Sequence, residues 1–139
     1  MNMKEFYEVL DRAKEIALAT SVYNIPNVRI VNFVYDTEKP GILYFTSNRN
    51  NPKVKEFNQN NNISITTIPT NEIPHVRSHH ATVKKSERSL EEIKNLFIQK
   101  VPGYDETIEV LGTVLDVFEI QIHEALVVTG FANPIIISF

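Results

Sequence analysis

Arg29-Ile30-Val31-Asn32-Phe33 lies in a β-forming run, and the chain later reaches Tyr44-Phe45-Thr46-Ser47-Asn48-Arg49-Asn50-Asn51-Pro52-Lys53, where a strand pattern gives way to a helix pattern. Asn51 before Pro52 is the order of a helix start: Asn caps orphan amides, and Pro at the first helical position gives up no intrahelical bond. Such a start presents unpaired backbone amides and the positive end of the helix dipole, with Lys53 in its first turn. Thr46 and Ser47 add hydroxyls just upstream. Together these groups suit a phosphate-sized anion. Arg29 adds a planar charged fork if its strand lies beside the third strand, as a meander would place it. Each residue taken alone has a plainer reading, since Thr-Ser-Asn before a helix is often only a loop and a cap, and an Arg on a strand is often only solvated.

Other reactive side chains point less clearly to a site. On a strand, positions 75, 77 and 79 share a face and 80 points away, so of His75, His79 and His80 only two converge, with Arg77 between them. Ordinary surface or interface histidines fit that pattern better than zinc, and no metal site is assigned. His123 stands apart. Glu106, Glu109 and Asp116 have no spacing that fixes an acid-base pair. No side chain is assigned a catalytic role.

Cysteine is absent, which removes disulfides, thiol nucleophiles and thiolate metal sites. A net charge of −3 gives no general pull toward nucleic acid or an anionic membrane. The first residues alternate charged and apolar types, unlike a secretory signal, and the apolar stretch over 125–139 is broken by Thr129, Gly130, Asn133 and Pro134, too short to span a bilayer. The expectation is a cytoplasmic chain of one domain over residues 1–139.

The elements that would position these residues follow from periodicity. Phe6, Val9, Leu10 and Ala13 predict an amphipathic helix over 3–15. Strands are expected over 16–23 and 28–35 around an Asn24–Asn27 turn, then over 42–46. The helix from Pro52 should run to about Asn58, with Val54 and Phe57 inward, before a strand over 63–68. Pro69 and Pro74 bracket a connection to a long strand over 75–85. Ser89-Leu90-Glu91-Glu92 is a capping box, and Leu90, Ile93, Leu96 and Phe97 give the following helix an apolar face that Val101-Pro102-Gly103 ends. Strand patterns return over 115–122 and 125–128. Helices fall between hairpins rather than after every strand, so a mainly β, antiparallel barrel with flanking helices is favoured over a βαβ fold.

The ordered set Arg29-Ile30-Val31-Asn32-Phe33, Leu43-Tyr44-Phe45-Thr46-Ser47, Lys53-Val54-Lys55-Glu56-Phe57 and Asn62-Ile63-Ser64-Ile65 resembles the FMN-binding core of the pyridoxamine 5'-phosphate oxidase-like family. The resemblance continues through Val76–Lys85, the helix after Ser89, Pro102-Gly103-Tyr104 and Val117-Phe118-Glu119-Ile120. It implies an α+β fold built on a six-stranded antiparallel split β-barrel, forming a homodimer with FMN sites at the subunit interface. By the same resemblance, Arg29 and Lys53 would contact the phosphate. Thr46 and Ser47 would complete its pocket, with Arg49 and Asn51 as helpers. Backbone groups of Ile30, Val31 and Asn32 would meet the flavin ring, which Tyr44 and Phe45 would line or support, and the partner chain would add Thr66 and Thr67.

The implied activity is an FMN-dependent oxidoreductase acting on a small-molecule substrate or electron donor. Members that oxidise pyridoxamine phosphate carry Trp and Arg substrate contacts near a longer C-terminus, and this chain has no Trp, so the resemblance speaks to the cofactor more than to that substrate. Two alternatives share the pattern: a non-catalytic flavin-binding or sensing module, and a related barrel holding a deazaflavin or a haem-derived ligand.

Overall fold

Burial alternates along β1 (Glu15–Val22), with Ile16, Leu18 and Thr20 inward, as expected of a strand with one face on a core. The computed structural model describes residues 3–69 and 73–139; most of the connection expected between Pro69 and Pro74 lies outside the described residues. Before β1 comes α1 (Met3–Arg12), shorter than the periodicity suggests because Glu15 already pairs with Asn32. After it come β2 (Ile25–Asn32), β3 (Val34–Tyr35), β4 (Ile42–Asn48), α2 (Pro52–Gln59), β5 (Asn62–Thr67), β6 (His75–Lys85), α3 (Leu90–Lys100), α4 (Tyr104–Leu111), β7 (Leu115–Val128) and β8 (Ile135–Ser138).

All strand pairings are antiparallel, in the order β2-β1-β5-β6-β7-β4-β3, with β8 beside β7. The sheet curls until β2 comes close to β4. This is a mainly β, antiparallel split barrel with flanking helices, and the described residues hold eight strands where six were expected. The surplus comes partly from short pieces: β3 is two residues long and β8 four.

The interior is filled by Leu10 and Phe6 of α1, Ile16 and Leu18 of β1, Phe45 of β4, Phe57 of α2, and Phe118 and Ile120 of β7. A second apolar cluster lies outside the barrel, where Ile93 and Phe97 of α3 and Tyr104 of α4 cover Val34, Tyr44 and Val117. Two faces of β4 therefore serve two cores.

Several local expectations shift. The first hairpin turns at Tyr23 and Asn24, both with positive φ, so β2 begins at Ile25 rather than Val28. Pro26 is tolerated within β2 because that strand is at the sheet edge, where a missing donor is least costly. The run expected to continue to Tyr35 breaks at Phe33, and β3 pairs with β4 instead. The anticipated meander is absent: β2 pairs with β1, and it meets β4 only across the seam of the curled sheet. The two late strand patterns form one continuous β7.

Candidate functional site

Asn51 caps α2 as its sequence suggests, its side chain accepting from the Lys53 amide at 3.1 Å, with Pro52 at the first position. This fixes Lys53 in the first turn, facing the seam between α2 and the β1-β2 hairpin. Arg29 reaches the same place from β2. It is in register with Leu18, so its side chain follows Leu18 to the inner side of the sheet.

The guanidinium of Arg29 is held at three points. Nη2 lies 2.5 Å from Glu56 Oε1, and Nη1 donates to Thr20 Oγ1 at 2.8 Å and to the Leu18 carbonyl at 3.4 Å. Glu56 in turn accepts from Thr20 at 2.6 Å and from Asn27 Nδ2 at 3.4 Å. The Thr20 hydroxyl first, and then Arg29, hold the Glu56 carboxyl below the usual carboxylate range against the opposing effect of burial. Arg29 offers five N–H donors in all, so the three bonds leave part of its fork for another acceptor.

Lys53 is the unbalanced member. Burial, and after it the Arg29 charge, push its ammonium below the usual lysine range. Among the described residues no carboxylate pairs with Lys53. Two cations, one carboxylate and a capped helix start thus share one half-buried place. A doubly charged phosphate fits that donor set, since it would relieve the repulsion between the cations and sit at the positive end of the α2 dipole.

The remaining expected residues are distributed on both faces of the sheet. Ser47 is buried on the inner side of β4 and donates to the Asn48 carbonyl at 3.1 Å. Thr46 faces the other way and is hydrogen-bonded to the Tyr104 hydroxyl of α4. Arg49 is drawn toward the α4-β7 turn, donating to the Thr113 carbonyl at 2.9 Å and lying 3.4 Å from Asp116. Phe45 is fully buried, stacked on Phe118 with ring centres 5.5 Å apart. Tyr44 is also buried, its hydroxyl 3.2 Å from Arg88 Nη1. Phe45 thus supports the sheet from within the barrel and Tyr44 from its outer side beneath α3, and neither lines an opening. Ile30 and Asn32 are exposed on the edge strand, and Val31 packs partly against the core. Thr66 points outward, while Thr67 is buried and accepts from the Val76 amide at 2.9 Å.

Glu56, Thr20 and Asn27 were not anticipated around Arg29. The one local signal was Glu56 lying one helical turn beyond Lys53, which puts both on the same side of α2. The described residues contain no group of three or more His, Cys, Asp or Glu placed to hold a metal ion. None of the helices among the described residues is long and apolar enough to cross a membrane.

A family model described as pyridoxamine 5'-phosphate oxidase-like matches residues 9–134. No curated protein matches the chain. Among solved structures, the chain is similar to a haem-binding protein of Mycobacterium smegmatis, with TM-score 0.76 and 13% identity over 97% of this chain and 57% of that one, so it spans little more than half of that relative. It is similar to a NimC/NimA family protein of Clostridium acetobutylicum, with TM-score 0.71 and 23% identity over 99% of this chain and 92% of that one. It is also similar to an FAD-binding protein of Mesorhizobium loti, with TM-score 0.65 and 15% identity over 90% of both chains.

Proposed function

The chain belongs to the pyridoxamine 5'-phosphate oxidase-like family, and on that premise we propose that it is an FMN-binding oxidoreductase that works as a homodimer. The observation that carries this reading is the half-buried Arg29 and Lys53 pair at the start of α2, two cations beside a single carboxylate that pairs with Arg29 alone. A flavin-binding relative of the same fold supports it.

In this reading Lys53 and the free donors of Arg29 hold the phosphate, and Glu56 and Thr20 orient the guanidinium. Ser47 and the positive end of the α2 dipole close the phosphate end, and Arg49 and Asn51 shape the loop that carries it. The exposed backbone of β2 from Ile30 to Asn32 lies along the ring, and Thr66 of the second copy adds a hydroxyl. Thr46 acts through Tyr104, fixing α4 against β4. The flavin, when bound, supplies the electron chemistry, and hydride transfer to it requires no side-chain acid or base. The chain's part is to bind, orient and restrict access.

Fluorescence titration with FMN and riboflavin, on the native chain and on Arg29→Ala and Lys53→Ala, tests the site. A charge-assisted hydrogen bond contributes ~1.5–3 kcal/mol, so each variant should weaken FMN by roughly one to two orders of magnitude and leave riboflavin nearly unchanged. Equal losses for both ligands would move these residues out of phosphate binding. A native chain that FMN neither quenches nor stabilises against heat would end the cofactor reading, because a ligand selective for the folded state must raise its melting temperature.

The second reading is a haem-derived ligand in the same barrel, favoured by the likeness to the mycobacterial protein. The visible spectrum of the purified chain separates the two, through flavin bands or a Soret band. Anaerobic mixing with NADH or NADPH then separates an oxidoreductase from a flavin-storing or sensing module.

A further inference from the structure

The last turn of α3, the end of α1 and the short β3 meet around an open cavity of ≈530 Å³. Val34, Leu96 and Tyr35 give it an apolar part, and Asp11, Asp36 and Lys100 give it a charged one. It lies apart from the outer face of β2 and from the phosphate cluster: Val28, Ile30, Thr66, Arg29 and Lys53 do not line it.

Lys100 is the amine in this wall, and its position is fixed. Nζ lies over the Phe33 ring, 3.6 Å from the centroid, and donates to the Leu10 carbonyl at 2.8 Å. Among the described residues no carboxylate forms an ion pair with it. A neutral amine keeps N–H groups for the Leu10 carbonyl and gains a free lone pair. Burial favours that neutral form, pushing the ammonium down to about 8 against the Asp11 charge. At pH 7.4 roughly a fifth of such groups are unprotonated, against about one in a thousand for a lysine near 10.4. A desolvated, held amine beside a cavity is suited to attack a carbonyl carbon.

The other charged groups lining the cavity are acidic. Asp11 of α1 accepts from the Tyr35 hydroxyl at 3.5 Å. Asp36, just past β3, accepts from the Glu38 amide at 3.0 Å and from Arg88 Nη1 at 3.0 Å, and the amide first, with Arg88 after it, holds its carboxyl below the usual range. Two carboxylates disfavour an anionic ligand, while Tyr35 and Leu96 suit an uncharged one with an aromatic or hydrocarbon body.

We propose that Lys100 is a covalent site for a small uncharged aldehyde, which it captures as an imine. The nitrogen lone pair bonds to the carbonyl carbon and a proton passes from nitrogen to oxygen, giving a carbinolamine. The hydroxyl then leaves as water while the C=N bond forms. Amine and aldehyde thus become imine and water, nothing is oxidised or reduced, and water reverses the step. The inference does not rest on the flavin reading.

The test treats the full chain with benzaldehyde or with the anion para-formylbenzoate, traps imines with cyanoborohydride at pH 7.4, and maps the labelled lysines by peptide mass spectrometry. With benzaldehyde, Lys100 should be labelled roughly tenfold or more faster than the exposed Lys4 and Lys55, at a rate that saturates with aldehyde concentration. With para-formylbenzoate that advantage should fall several-fold, and in urea it should vanish for both. The Arg29→Ala, Lys53→Ala double variant should label Lys100 as the native chain does even if it loses FMN, so failure of one reading leaves the other standing. Labelling of Lys100 no faster than of Lys4 and Lys55, an advantage that survives unfolding, or a rate linear in aldehyde would overturn the proposal. Equal advantage with the two aldehydes would overturn the preference for an uncharged ligand.

Discussion

Lys100 ends α3 with its ammonium 3.6 Å from the centre of the Phe33 ring and 2.8 Å from the Leu10 carbonyl that it donates to. The contacts tie α3 to the end of α1 and to the residue that follows β2. Burial pushes this lysine down to about 8, with the Asp11 charge only partly opposing. The folded chain therefore releases a proton near pH 8 that the unfolded chain holds until about 10.4. Since the unfolded state binds more protons in that interval, stability rises with pH there. The tyrosines act in the opposite sense higher up: burial raises Tyr7, Tyr35 and Tyr104, so their contribution is lost above about pH 10, where unfolded tyrosine ionises. The urea midpoint of the native chain should climb between pH 8 and 9.5, and Lys100→Met should flatten that climb. A climb of the same size in the variant would assign it to other groups. Lys53 shares the direction of shift but has a cation as its neighbour, which is why it, and not Lys100, suits an anion.

At the scale of elements, α2 and α3, which carry side-chain caps, were readable from short sequence, and α4, which has none, was not. Ser89 accepts from the Glu92 amide at 3.2 Å, and Asn51 plays the same part for α2. Helix α4 starts after Gly103 in a left-handed conformation with no side-chain cap, and its main signal was the pairing of Tyr104 with Ile108 on one side. Glycine has a sharper role at Gly41, where φ is +81° and an added Cβ would sit 2.8 Å from the Phe139 ring. Gly41→Ala should thus suffer both backbone strain and a clash and cost about 1–3 kcal/mol. Asn51→Ala should cost about 1 kcal/mol by loss of the cap. Urea denaturation of the two variants checks the order, and a Gly41→Ala chain as stable as the native one would mean that the chain end gives way freely.

For the whole molecule, the edge strand β2 leaves Ile25 70%, Val28 63% and Ile30 58% exposed. An apolar open edge of that kind invites another chain. A two-fold dimer covering this face would bring Thr66 of one copy toward β2 of the other, and light scattering should report about twice the chain mass of 15.9 kDa. A monomer that keeps full FMN affinity across dilution would contradict a shared site. The class of fold, the caps and the cation-bearing helix start could all be read along the chain, because backbone preference, side-chain period and capping act over a few neighbouring residues. The outcome for Arg29 could not. Its partner Glu56 stands 27 positions away, and the two meet only because α2 packs over the β1-β2 hairpin. Likewise, that Thr46 would turn to Tyr104 while Ser47 turned inward depended on which face of β4 the late helices covered. Contacts between distant segments are set by how the sheet closes, and closure is a property of all its strands at once.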